Sequence, residues 1–270
     1  MHPVEQLALD VASGRTGPRE GERAAARLAL DGALTGQDLV GWFKTAHWLA
    51  HREDLWERAL LLGRLLTAAV EALPRSTPSY DLVRCRSAWT ELVHLCLVHR
   101  PDGALFASGA RAGRAALAGA RELGDDDLVG QALYRLGTLY LDPFSRARDL
   151  WWEEHRLWLS LAPEEALAGL PEPHEALETA EAYLREAAAL RTGAGLGYTC
   201  KALAQAVQQQ EFVARANAGG KGGTAEFVPR SLTALCDQAL DLIPADDLVA
   251  RANVEAIRSG SGSAEPSEVA

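Results

Sequence analysis

A chain of 270 residues, 48% of them hydrophobic, can bury one large core or two smaller ones. Its net charge of −10 argues against a nucleic-acid partner, because neutralising phosphates takes clustered lysine and arginine. There is no apolar run of about eighteen residues, so no membrane span is expected. Met1-His-Pro-Val-Glu-Gln lacks the basic and apolar regions of a secretory signal, so the expected compartment is the cytoplasm.

Alanine and leucine dominate the apolar residues and β-branched residues are sparse, which makes the expected class all-α. A short helix is expected over 3–13, then the breaker Ser-Gly-Arg-Thr-Gly-Pro, then a helix over about 19–31. Thr35 or Gln37-Asp38 caps a helix that runs to about His51. The Leu55–Leu73 segment carries Trp56, Leu60, Gly63, Leu66 and Val70 on one face, and Pro74–Pro78 ends it. Ser79 or Asp81 starts a helix to about His99, and Pro101-Asp-Gly103 turns the chain. Helices over 104–123 and 126–141 follow, with Asp142-Pro143 expected to stop the second. A tryptophan-rich helix is expected over 145–161, then a poorly periodic stretch to Pro173. Helices over 174–190 and 194–215 meet at Arg191-Thr-Gly193. A flexible loop over 217–224 precedes a last pair, 229–243 and 246–258, and the Ser/Gly/Glu tail 259–270 is expected to be disordered.

The corner from Ala120 to Tyr140 is the most informative stretch. One helix ends at Leu123-Gly124, Asp125-Asp126-Asp127 turns the chain, and the next helix places Leu133, Leu136, Gly137 and Tyr140 on one stripe. A large residue, then Leu-Gly, then Tyr at this spacing resembles the tetratricopeptide (TPR) repeat pattern. Self-comparison adds to it. A shift of 67 sets Leu123, Gly130, Leu136 and Gly137 on Leu190, Gly197, Leu203 and Ala204. A shift of 44 sets Leu133, Leu136 and Tyr140 on Trp89, Leu92 and Cys96, with Val93 where the pattern has glycine. A shift of 120 sets Asp126-Asp-Leu-Val129 on Asp246-Asp-Leu-Val249.

The resemblance covers roughly 55–258 and is strongest over 115–140. It implies antiparallel helix pairs stacked as an α-solenoid, because each pair has an apolar face it cannot bury alone; a compact α-helical bundle is the alternative. The expected organisation is an N-terminal helical extension (1–34), a TPR-like domain (35–258) with an irregular insertion near 160–173, and the tail. The alanine, arginine and glycine bias, with lysine only at 44, 201 and 221, reads as a high-GC bacterial coding habit. The resemblance further implies a concave groove lined by 55–73, 104–123, 145–161 and 174–190, gripping a peptide or helix of another protein.

Candidate contact residues follow from that groove. Trp151, His155 and Trp158 fall at i, i+4 and i+7 and share a face suited to recognition, with core filling as the competing role. Arg111, Arg114 and Arg185 are the candidate charged contacts. His47 and His51 form an i, i+4 pair, half of a metal site, but no third ligand follows at a suitable spacing, so a structural or surface role is expected. His94, Cys96 and His99 do not share a helical face. Cys85, Cys96, Cys200 and Cys236 lie far apart in apolar stripes and are expected to act as small buried apolar residues.

The consecutive acids at 125–127 suit a helix cap better than the spaced carboxylates of a magnesium–diphosphate site. Gly219–Thr224 lacks the preceding strand and the Gly-Lys-Ser/Thr of a phosphate loop. No catalytic, cofactor or metal residues are therefore expected. The expected function is a protein-binding scaffold or adaptor. Its partner would be another protein or peptide, for which neighbouring genes are the natural candidates, with no nucleic acid and no membrane, and self-association is a further option. A small all-α enzyme with a tryptophan-lined pocket for an apolar or aromatic substrate is the rival.

Overall fold

The computed structural model describes residues 2–145, apart from 53, 75, 76, 78 and 101, together with 168–217 and 230–259. Among them the chain is all-α, as its composition dictates: eleven helices and no strand. These are α1 (Pro3–Ala12), α2 (Pro18–Leu30), α3 (Gly36–Ala50), α4 (Trp56–Ala72), α5 (Ser79–Leu97), α6 (Gly103–Leu123) and α7 (Asp126–Ser145), then α8 (Pro173–Leu190), α9 (Gly193–Asn217), α10 (Arg230–Leu242) and α11 (Leu248–Ser259). No helix among the described residues is long and apolar enough to cross a membrane. The expected helix over 145–161, most of the insertion near 160–173, the loop from 218 and the tail from 260 lie outside the described residues.

Local chemistry sets the helix ends. Thr35 caps α3 by accepting from the amide of Asp38 at 3.2 Å, and the Asp38 carboxylate accepts from the Thr35 amide at 3.0 Å, a reciprocal capping box. The Thr35 hydroxyl also donates to that carboxylate, and these bonds hold the Asp38 carboxyl below the usual range. At the opening corner, α6 ends at Leu123 and Gly124 takes φ +65°, a left-handed conformation that suits glycine. Asp125 then accepts from the Leu128 amide at 3.0 Å. The acids therefore serve as a cap, as their consecutive spacing implied.

One expectation needs correction. Pro143 does not stop α7, which continues to Ser145. A proline removes its own N–H from the ladder, but the amides that follow it remain available. The second acidic run also caps a helix: Asp247 caps α11, accepting from the Ala250 amide at 3.0 Å. The capping position differs between the two runs, since Asp247 plays the part of Asp125 rather than of Asp127, its equivalent under the 120-residue shift.

The chain forms two compact units, residues 1–100 with 104–128, and 101–103 with 129–270. In the first, α2 packs on α4, and α3 packs on both α4 and α5. Its core takes Ala25 and Ala29 from α2, Leu39 and Phe43 from α3, Leu65 and Leu66 from α4, and Val83 and Leu92 from α5. Helix α6 closes on α5: Val93 lies against Gly109, where an added Cβ would sit 2.7 Å from its Cγ1. The Thr90 hydroxyl is 3.1 Å from the Gly109 carbonyl oxygen and donates to it. In this close approach Val93 is the large partner and Gly109 the small one.

In the second unit, α9 packs between α8 and α10. Ala202, Leu203 and Ala206 join Leu141, Leu177, Ala180 and Leu184 in one cluster, while Cys200 and Ala204 join Cys236, Ala239, Val254 and Ile257 in another. Gly137 allows α7 to meet α8, since an added Cβ would lie 2.6 Å from Leu184 Cγ. The buried Gln208 amide donates to the Ile257 carbonyl at 3.0 Å, so its polar group is satisfied inside that core.

Candidate functional site

The first unit carries two adjoining pockets of about 290 and about 230 Å³ that share Thr67, Glu71, Trp89 and Ser108 and together form a groove. One wall is a single face of α4, where Arg64, Thr67, Ala68 and Glu71 recur at i, i+3, i+4 and i+7. The other is α6, where Ser108, Ala112 and Ala115 are small enough to leave the space open. Trp89 of α5 forms the floor and is only 3% exposed. Its indole N–H donates to the Ser108 hydroxyl at 3.1 Å, which pins the ring between the two walls. Gly63 seats the ring from behind: a Cβ there would come within 2.6 Å of Trp89 Cζ3.

Three arginines converge on this groove from three helices: Arg64 on α4, Arg86 on α5 and Arg111 on α6. Among the described residues none of the three makes an ion pair. Glu22 and Glu71 line the same groove, so it offers charge of both signs with a positive excess on a chain whose net charge is −10. Cys85 is the thiol nearest the space. Burial pushes it up to about 12, so it is protonated at neutral pH and is no nucleophile.

The expected contacts divide. Arg111 lines the groove. Arg114 is exposed on the same helix but is not among the lining residues. Arg185, on α8 of the second unit, is engaged by Glu181 through Nε at 2.7 Å on its own exposed helix face. Trp151, His155 and Trp158 lie outside the described residues. Residues of 55–73 and 104–123, two of the four segments expected to line a concave groove, line these pockets. The groove's floor, contributed by α5, falls outside that expectation, and Trp89 was legible only as a repeat position, since nothing local marks one large apolar residue as floor rather than core.

The cysteines are buried as expected. Burial pushes Cys96 up to about 12 and Cys236 up to about 11, and raises Cys200 as well. Cys96 directs its thiol toward the Trp56 carbonyl at 3.9 Å, while His99 stacks on the Trp56 ring with centroids 5.4 Å apart, so these two do not share a site. Among the described residues no three of His, Cys, Asp or Glu are grouped to hold a metal ion. Comparison with known proteins finds no matching family model, no matching curated protein and no matching solved structure.

Proposed function

We propose that this chain is a protein-interaction scaffold, built as a TPR-like stack of helix pairs, whose α4–α6 groove takes a peptide or helix from a partner protein. The observation that carries this reading is the groove itself: an aromatic floor, one wall of small residues and three arginines that make no ion pair among the described residues. Satisfying edge arginines with a partner's carboxylates, over a shaped and rigid floor, is how recognition surfaces gain specificity.

Recurring packing within the second unit supports the repeat architecture. Gly130 of α7 faces Leu190 and Arg191 at the end of α8, with an added Cβ 2.8 Å from Arg191 Cγ. Gly197 of α9 faces Leu242 and Ile243 at the end of α10 in the same manner, at 2.9 Å from Leu242 Cβ. The two glycines are the pair related by the 67-residue shift. Packing of α2 on α4 and of α3 on α5 in the first unit also matches the next-but-one contacts of stacked helix pairs.

The test is selection of a phage-displayed random peptide library against the full chain. Peptides combining an apolar anchor with acidic groups should emerge, and the double variant Arg86→Glu, Arg111→Glu should weaken their binding by about tenfold or more. Failure to enrich any peptide, or equal binding to parent and double variant, sinks the proposal.

A further inference from the structure

At the C-terminal end of α3, His47 and His51 are brought into direct contact. Their Nε2 atoms lie 2.9 Å apart and their ring centroids 4.6 Å apart, in an edge-on arrangement. Helical geometry carries through the capping residue His51, whose φ is −75°, so the i, i+4 relation is preserved to the end of the helix. What the spacing along the chain does not reveal is Glu91, on the neighbouring helix α5, with Oε2 3.7 Å from His47 Nδ1. His47 therefore has a carboxylate behind one ring nitrogen and a second imidazole beside the other. His47 and Glu91 are partly shielded, their side chains 36% and 24% exposed, and His51 is open to solvent.

We propose that His47 and His51 form a transition-metal site for Cu²⁺ or Ni²⁺, with the Glu91 carboxylate beside it as a neighbouring negative charge. A small turn of the exposed His51 ring replaces the shared proton by an ion about 2.0–2.1 Å from each nitrogen. Imidazole ligands suit Cu²⁺ and Ni²⁺, and Cu²⁺ stands at the top of the affinity order for such nitrogen donors.

The Glu91 carboxylate, 3.7 Å from His47 Nδ1 and beyond hydrogen-bond distance, places negative charge beside the ligand imidazole. Without metal, the two Nε2 atoms share one proton across their 2.9 Å contact. On binding, that proton moves through solvent to the Nδ1 of the ring that carried it, so both imidazoles stay neutral and both Nε2 lone pairs reach the ion. Solvent completes the coordination. The guanidinium of the adjacent Arg52 lies 5.7 Å from the Trp48 ring and 3.8 Å from Asp54.

The test is titration of the full chain with Cu²⁺, followed by electron paramagnetic resonance of the bound ion and repeated with Ni²⁺ and Zn²⁺ by calorimetry. One Cu²⁺ should bind at this pair with two imidazole nitrogens in its spectrum. His47→Ala and His51→Ala should each weaken binding by about tenfold or more and leave one nitrogen, because the second imidazole acts intramolecularly. Glu91→Gln should weaken it by about tenfold without changing the nitrogen count. His2→Ala and His174→Ala, at histidines elsewhere, should leave this site unchanged. Circular dichroism verifies the helix content of each variant. Unaltered affinity and spectrum in both His47→Ala and His51→Ala, loss equal to theirs in either control, or binding of Zn²⁺ tighter than Cu²⁺ overturns the proposal.

Discussion

Replacing Gly63 with alanine is expected to destabilise the first unit, against the usual effect of that change in a helix. Alanine in a helix interior gains about 0.5–1 kcal/mol over glycine from propensity alone. At position 63 the new methyl would meet the Leu92 side chain, and it would sit 2.6 Å from Trp89 Cζ3 and 3.1 Å from Cε3. The indole is rigid, and its N–H is tied to Ser108 on α6, so the ring cannot turn away cheaply. Leu92 is fully buried. Overpacking of this kind costs about 1–3 kcal/mol, and after the propensity gain the net loss is about 1–2 kcal/mol.

Gly41 on α3 provides the matched control, since nothing lies within 4 Å of a Cβ there, and Gly41→Ala should stabilise by about 0.5–1 kcal/mol. The two variants should therefore differ by about 2–3 kcal/mol, a factor on the order of 100 in the unfolding constant. Urea unfolding followed by circular dichroism measures both. A Gly63→Ala midpoint at or above that of the parent would refute the reasoning, because it would mean that α4 and α5 are not held at this distance by the tryptophan. The same variant displaces the groove floor, so peptides selected against the parent should bind it less well.

Two further predictions rest on caps. Asp125→Ala should cost about 1 kcal/mol, while Asp125→Asn should cost much less, because asparagine also accepts from the Leu128 amide; thermal unfolding of the two variants distinguishes them. Asp247 accepts from the Tyr198 hydroxyl at 2.6 Å and from the Ala250 amide, and the tyrosine bond in particular holds its carboxyl below the usual range. A folded pKa below the unfolded one contributes stability that is complete above the unfolded value and is lost as pH falls through the folded one. Tyr198 is shifted upward, chiefly by the same hydrogen bond, so its contribution is complete below its unfolded pKa and fades as pH rises through the folded one. The stability difference between parent and Tyr198→Phe should thus be largest near neutrality and shrink below about pH 4 and above about pH 10. A difference that stays constant from acid to base, measured by urea midpoints, rules out this linkage.

The resemblance that prompted the repeat reading fared differently at different positions. Gly137 lies where a neighbouring helix approaches, and the acids of the corner include the cap. Pro143 was misread because a proline is a local signal, and local signals decide only which bond is missing, not whether the following turn continues. The acidic run at 246–247 looked equivalent to that at 126–127, yet the capping carboxylates are Asp247 and Asp125. A cap depends on where the backbone leaves the helix, which composition does not encode to the residue.

The sequence by itself determined the all-α class, nearly every helix boundary among the described residues and the burial of the cysteines. Each of these is set by residues within a turn or two of one another, through propensity, capping and the 3.6-residue period. Tertiary structure decided what met across helices. Trp89 became a floor because Gly63 and Ser108, from two other helices, flank it. Val93 met Gly109 of α6, and three arginines distant in sequence came to one groove. Glu91, forty residues from His51, comes within 3.7 Å of His47 only because α5 packs on α3. Such meetings depend on which helical faces pack together, and neither spacing nor period within one helix specifies the partner across the interface.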